Sequence, residues 1–180
     1  MDLLEIMRQR RSVRSYTSED VSEENIRKIL EAGLLSASGR AIRPWELIVV
    51  KERAVLQKMA ESRDHGAKML EDANAAIVVI ADETKTDVWP EDCSIVMSNM
   101  HLMASCLGVG SCWIQGRLRT SAGGESTEGY LRELLGFPEY YRLEAVLSLG
   151  MPESVPEMRE VTDELWGKVH REVYESKREK

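Results

Sequence analysis

Residues 75–81 read Ala-Ala-Ile-Val-Val-Ile-Ala, an uninterrupted apolar run that is typical of a β-strand buried on both faces. Downstream, residues 92–107 repeat apolar side chains so densely that little polar face remains, which predicts a long helix in the core or in a subunit interface. Gly108 is placed to end that helix. Because the predicted helices and strands mix without strict β-α-β alternation, the sequence predicts an α+β fold.

The remaining elements follow from apolar spacing and from capping residues. Ser22 is a good N-cap, with Val21 and Ile26 placed as a hydrophobic staple. Residues 36–44 lose periodicity and are predicted to be a loop. Further strands are predicted at 45–50, 111–114 and 142–149, and further helices at 2–10, within 54–69 and at 130–135.

The composition bounds the class of protein. A chain of 180 residues is expected to form a single domain over 1–180, and half of residues 153–180 are charged, which predicts an outer C-terminal arm with some helical pattern at 162–175. The net charge of −7 argues against nucleic acid as a partner. We expect no secretory signal and no membrane span. A cytoplasmic location with free thiols is expected from the three cysteines, which form no C-x-x-C pair: Cys93, Cys106 and Cys112.

The stretch Arg10-Arg11-Ser12-Val13-Arg14 concentrates three guanidinium groups and a hydroxyl in five residues. Arginine forks readily onto phosphate oxygens, so the stretch predicts a local anionic ligand. The alternative is a solvated helix end whose arginines offset the negative pole of the helix dipole. For Arg159, in the charged arm, the alternative is an ordinary surface charge.

Other chemistry-bearing motifs are weak. Residues 108–113 contain Gly-Val-Gly, but the third glycine of a dinucleotide motif is replaced by Trp113 and the segment follows a helix. Cys112 has no evident histidine partner and is expected to be a small core residue rather than a nucleophile. The three histidines show no metal-ligand spacing. With no catalytic side chain and no metal site predicted, the reactive group is expected to be a bound cofactor.

Four motifs, in order, resemble those of the nitroreductase family of FMN-dependent enzymes. They are RRSVRSY at 10–16, SASGRAIRPWELIVV at 36–50, GVGSCWI at 108–114 and LSLGMPESVPEMR at 147–159. The resemblance spans nearly the whole chain. It implies a homodimer, a central and mostly antiparallel sheet flanked by helices, and one FMN at each end of the dimer interface.

The resemblance also assigns candidate FMN contacts. All of Arg10, Arg11, Ser12 and Arg14 would contact the flavin. Arg10 and Ser12 would bind the phosphate and ribityl chain, Arg14 would approach the N1/C2 edge of the ring, and Arg159 would complete the phosphate site. Ala37, Ser38 and Gly39 would reach the FMN of the other subunit. The backbone of Trp113, Ile114 and Gln115 would lie near the ring.

The implied activity is electron transfer from NADH or NADPH through FMN to a small oxidised acceptor, such as a nitroaromatic, a quinone or an activated alkene, in a ping-pong cycle. Alternatives are a flavin-fragmenting or dehalogenating enzyme of the same superfamily, a non-catalytic redox sensor that binds flavin, and ferredoxin or another carrier as donor. Ala37, Ala41 and Arg43 replace the usual Pro, Asn and Gln, which puts the usual nitroaromatic range in question.

Overall fold

A computed structural model describes residues 2–174 of the chain. Its centre is a four-stranded sheet in the order β1-β2-β4-β3, and every neighbouring pair is antiparallel. The strands are β1 Trp45–Val50, β2 Ala75–Asp82, β3 Gly110–Gln115 and β4 Tyr141–Gly150. The α+β prediction and the mostly antiparallel sheet are therefore confirmed.

Six helices surround the sheet, and α4 is the longest of them within the described residues. They are α1 Leu3–Gln9, α2 Glu23–Leu34, α3 Arg53–Ala60, α4 Trp89–Cys106, α5 Thr127–Leu135 and α6 Asp163–Trp166. Short 3₁₀ turns lie at Gly39–Ala41 and Lys68–Glu71. None of the helices in residues 2–174 is both long and apolar enough to cross a membrane.

The core fills both faces of the sheet because side chains alternate along each strand. In β2, Ile77 and Val79 pack toward α2 and α4 on one face. Val78 and Ile80 pack on the opposite face, toward α3, α5 and the Lys68–Glu71 turn. All eight β2 residues are buried, as the apolar run predicted.

An irregularity interrupts the pairing of β2 with β4. Val79 pairs with Ala145 and Ile80 pairs with Leu143, so Glu144 is an extra residue in β4. Glu144 is buried, and the hydroxyl of Ser94 lies 3.5 Å from its Oε1. The bulge thus places a carboxyl group between the sheet and α4.

The predicted caps are present, but several predicted helix boundaries are wrong; α5, for example, begins at Thr127, not at 130. Ser22 Oγ accepts the Asn25 N–H, and Gly108 follows α4 with φ of +72°. The long helix begins at Trp89, not at 92, because Pro90 fits the first helical turn. The helical pattern noted at 162–175 yields a helix at Asp163–Trp166 among the described residues, and Val169 and Val173 after it lie exposed; residue 175 lies outside the described residues.

Candidate functional site

The segment that follows α1 runs along the outer edge of β3. Ser12 forms a parallel bridge with Ser111, and the Val13 N–H donates to the Ser111 carbonyl at 2.9 Å. β3 is an edge strand of the sheet, so its outward backbone groups are available for this pairing. The arginines at 10–14 are therefore held on regular structure.

Tyr16 anchors the far end of this segment to β4. Its hydroxyl donates to the Val13 carbonyl at 2.9 Å and lies 2.7 Å from the buried Ser148 hydroxyl. The ring lies directly against Gly150, where any side chain would collide with it. Burial raises the pKa of Tyr16 well above its usual value, so the hydroxyl stays protonated and can donate.

Arg10 is held by a buried histidine that sequence reasoning did not select. Its Nη1 lies 2.8 Å from His101 Nε2, and His101 Nδ1 lies 2.5 Å from Ser111 Oγ. Burial, with a smaller effect from Arg10, lowers the pKa of His101 to about 4, so the ring is neutral near pH 7. The available sequence signal was a lone histidine within the apolar pattern of α4.

The C-terminal segment brings Arg159 to the same place. The Arg159 N–H donates to the Arg8 carbonyl at 2.9 Å, and Arg11 Nη1 donates to the Glu157 carbonyl at 2.8 Å. Burial, and then the charges of Arg159 and Arg11, lower the pKa of Arg10 below its ordinary value. The two ends of the chain thus meet at Arg10.

We call Arg10, Arg11, Arg14 and Arg159 the arginine cluster. Arg14 is exposed, and its Nη1 lies 3.5 Å from the Ser12 carbonyl. Within residues 2–174, no carboxylate lies within 4.0 Å of any nitrogen of the cluster's side chains. Positive charges that repel one another without a neighbouring acid form a site suited to an anion. A cavity of about 290 Å³ opens beside Arg11 and Ser111.

The second group of candidate residues, the serine loop at 36–39, packs against a different side of α4. The Gly39 N–H donates to Asp92 Oδ1 at 2.8 Å, and Ser38 Oγ accepts the Arg43 N–H at 3.0 Å. Just beyond the loop, Arg40, Ala41 and Arg43 have φ values of 52°, 57° and 51°, a conformation that costs energy for residues other than glycine.

The arginine cluster and the serine loop lie on opposite sides of α4. Arg10 contacts His101, whereas Gly39 contacts Asp92, nine positions earlier in the helix. Nine residues rotate a helix by about 900°, which leaves the two side chains roughly half a turn apart. One chain therefore does not bring the two groups onto a common ligand.

The third candidate group lies on β3. Ile114 is buried in the core, and its backbone N–H and C=O face β4, since alternate residues of an edge strand point inward. Trp113 Nε1 donates to Gln115 Oε1 at 2.9 Å on the α4 side of the sheet. Because outward backbone groups alternate along an edge strand and the Ser111 carbonyl faces outward, the backbone groups of 113 and 115 face outward too.

Cys112 is part of the core. It is 2% exposed, and burial raises the pKa of its thiol, so it is a poor nucleophile. His101 contacts the neighbouring Ser111 instead of Cys112. Among residues 2–174, no group of three or more His, Cys, Asp or Glu side chains is arranged to hold a metal ion.

The fold and the site define a mixed α+β protein with a cationic site assembled from both ends of the chain. The chain belongs to the nitroreductase family, whose model matches residues 7–63 and 54–151. The family resemblance drawn from the four motifs is therefore confirmed.

Individual relatives agree with this assignment. A protein of Archaeoglobus fulgidus, named "Putative NADH dehydrogenase/NAD(P)H nitroreductase", is 40% identical over 95% of this chain and 98% of its own length. The structure of an FMN-dependent nitroreductase from Clostridium difficile R20291 superposes with a TM-score of 0.91, at 38% identity, covering 95% of this chain and 99% of that one. A "Putative NADH dehydrogenase/NAD(P)H nitroreductase" structure from Parabacteroides distasonis gives a TM-score of 0.87 at 30% identity, covering 96% and 98%.

Proposed function

We propose that this protein is an FMN-dependent oxidoreductase that passes electrons from NADH or NADPH to a small oxidised acceptor in a ping-pong cycle. The observation that carries the proposal is the arginine cluster, which concentrates positive charge beside β3 with no carboxylate within 4.0 Å of its side-chain nitrogens in residues 2–174. Membership of the nitroreductase family, with relatives named NAD(P)H nitroreductases, supports the same activity.

The residues present fit the phosphate of FMN. A phosphate dianion would relieve the repulsion by which Arg159 and Arg11 lower the pKa of Arg10. Arg10 keeps free guanidinium donors besides Nη1, and the exposed Ser12 hydroxyl lies on the same segment. We assign Arg10, Ser12 and Arg159 to the phosphate and ribityl chain, with Arg11 positioning the segment that carries Arg159.

FMN, when bound, supplies the two-electron redox chemistry, and the chain supplies position and charge. We assign Arg14 to the N1/C2 edge of the ring, where a fixed cation stabilises negative charge. Its guanidinium is exposed, and the hydrogen bond found for it among the described residues is the 3.5 Å contact with the Ser12 carbonyl, so its position suits contact with a ring. We assign the outward backbone groups of Trp113 and Gln115, with Ile114 between them, to the neighbourhood of the ring.

We propose further that the functional unit is a homodimer. The serine loop and the arginine cluster lie on opposite sides of α4, so Ala37, Ser38 and Gly39 can meet the cofactor only as part of a second chain. A stripe on α4 between the two groups is exposed in one chain except at Leu102, which is half-buried. This α4 stripe repeats at helical spacing and consists of Glu91, Ile95, Ser98, Leu102 and Cys106.

Other exposed apolar side chains favour the same assembly. Leu3, Leu4 and Met7 of α1 are 58%, 60% and 47% exposed, and Leu34 at the end of α2 is 58% exposed. The helical spacing of these side chains indicates a buried face, yet this chain alone does not cover them. A partner subunit packed along α4 would cover these side chains.

The direct test is to purify the full chain and record its visible spectrum before and after adding FMN. We expect a flavin spectrum, one FMN per chain, and oxidation of NADH or NADPH that speeds up with a quinone or a nitroaromatic. Initial rates measured against both substrates should give the parallel double-reciprocal lines of a ping-pong cycle. A preparation that retains no flavin after the unbound FMN has been removed would refute the proposal.

A further inference from the structure

We propose that His101 is a positioning residue for the anion site: its neutral ring accepts a hydrogen bond from the Arg10 guanidinium and fixes it, which leaves the full positive charge of Arg10 for the phosphate. This inference rests on the proposed binding of FMN. It assigns a role to a buried side chain that does not itself reach the cofactor.

The hydrogen-bond chain has a direction that follows from its chemistry. A guanidinium can only donate, so His101 Nε2, at 2.8 Å from Arg10 Nη1, must accept. The proton of the neutral ring then lies on Nδ1, which donates to Ser111 Oγ at 2.5 Å. Ser111 thereby selects the tautomer in which His101 can hold Arg10.

Ser111 also holds residues 10–16, which we call the arginine segment, through its backbone. Its carbonyl accepts the Val13 N–H at 2.9 Å, while its side chain contacts the histidine that holds Arg10. The path from Arg10 through His101 and Ser111 to Val13 closes a ring with the covalent chain. A closed ring of this kind fixes Arg10 and Val13 before any ligand arrives, which lowers the entropy cost of ordering the site on binding.

The choice of acceptor decides how much charge remains for a ligand. A carboxylate at this place would pair with Arg10 and cancel its charge, whereas a neutral imidazole holds the group and leaves the charge in place. His101 is 6% exposed, so water does not compete for Nε2. The side chain is therefore suited to orient a cation that must remain available to an anion.

The test compares full-length wild-type protein with His101→Leu, which removes the acceptor, and His101→Gln, whose amide oxygen retains one. Apoprotein of each is titrated with FMN and with riboflavin, which lacks the phosphate, and thermal shifts are measured with inorganic phosphate. We expect His101→Leu to weaken FMN binding about tenfold, or about 1.4 kcal/mol, with riboflavin binding unchanged. His101→Gln should restore most of the FMN affinity. His65→Leu, at an exposed histidine, is the matched control.

The outcomes distinguish a failure of the proposed role of His101 from a failure of the proposed FMN binding. Equal losses for FMN and riboflavin in His101→Leu would mean a merely structural role and would overturn the inference, as would unchanged FMN affinity. If His101→Leu does not fold, Ser111→Ala, which frees the tautomer, must weaken FMN selectively by a smaller factor. A wild-type protein that binds neither flavin would refute the proposed function and the inference with it, whereas flavin binding with an inert His101 would refute the inference alone.

Discussion

The ring of Tyr16 lies so close to Gly150 that a Cβ built on the glycine would come within 2.5 Å of the ring carbons Cγ and Cδ1. This contact joins the last residue of β4 to the end of the arginine segment. Tyr16 is also fixed by its hydroxyl, through Val13 and Ser148. The position of the arginines therefore depends on a glycine at a strand end that touches none of them.

We expect Gly150→Ala to destabilise the protein and to weaken flavin binding. The added methyl group meets the side chain of Tyr16, and overpacking of this kind costs about 1–3 kcal/mol. Displacement of Tyr16 should also shift Val13 and the arginines before it. Urea unfolding and an FMN titration measure the two effects.

Gly123→Ala is the matched control for this change. At that position, in a surface turn, the added Cβ would meet only Ser121 Oγ at 3.7 Å, an ordinary contact. Unfolding and flavin binding should both match the wild type in this control. If Gly150→Ala behaved in the same way, Tyr16 would not be anchoring the arginine segment.

A second prediction concerns the homodimer. Ile95→Glu places a charge in the middle of the α4 stripe, where Ile95 is 40% exposed in the single chain. Burying an added, unpaired charge in an interface is unfavourable, so we expect the variant to elute as a monomer and to lose bound FMN while keeping its helical circular dichroism. Size-exclusion chromatography with light scattering gives the mass.

Val49→Glu is the control for exposure alone. Val49 is 39% exposed, nearly the same as Ile95, but lies on β1 at the opposite edge of the sheet from β3. The Val49→Glu variant should remain dimeric and keep its bound FMN. A dimeric Ile95→Glu variant that retains FMN would contradict the assignment of α4 to the interface.

The central strands could be predicted from the sequence because local patterns of apolar residues encode burial. The β2 run and the β1 strand were predicted with nearly their observed bounds, because alternation and continuous apolar stretches report burial directly. The four motifs identified the arginine segment. The apolar spacing at 162–175 indicated some helical pattern, but the helix described there ends at Trp166, because spacing alone does not show whether an apolar face has a surface to pack against.

The contacts that sequence reasoning missed are those made across the fold. His101 and Arg10 are 91 positions apart in sequence, and no spacing rule joins them. The Glu144 bulge depends on the register of two strands, which follows from packing and not from either strand alone. The separation of the serine loop from the arginine cluster depends on which faces of α4 they contact, at Asp92 and at His101, and these contacts link residues far apart in sequence.

A third prediction concerns the buried carboxyl of Glu144. Burial raises its pKa, and the charges and donors of Arg117, Gln115 and Ser94 only partly oppose this. A carboxyl with a raised folded-state pKa favours folding below its unfolded pKa, near 4.3, and loses that contribution as the pH rises through the folded value. Glu144→Gln should therefore be more stable than wild type at pH 7–8.

We expect the gain to appear as a Tm increase of roughly 2–4 °C, which corresponds to about 1 kcal/mol for a domain of this size. The gain should shrink as the pH falls toward 4, where the wild-type carboxyl takes up a proton. Glu139→Gln, at an exposed position, should show neither the gain nor its pH dependence. A Tm difference that does not change between pH 8 and 4 would argue against a titrating carboxyl as its cause.

The last prediction concerns His101, whose pKa is lowered in the folded protein, whereas that of Glu144 is raised. Burial and the adjacent Arg10 lower the pKa of His101 to about 4, below the unfolded value near 6.5. Between those pH values the unfolded chain binds a proton that the folded chain does not, so the wild type should lose stability as the pH falls from 6.5 to 4. His101→Gln, which has no imidazole, should lose less over this range. Urea unfolding of both proteins at pH 7 and 4.5 measures the difference, and equal pH slopes would mean that His101 is protonated in the folded state, where it could no longer accept a hydrogen bond from Arg10.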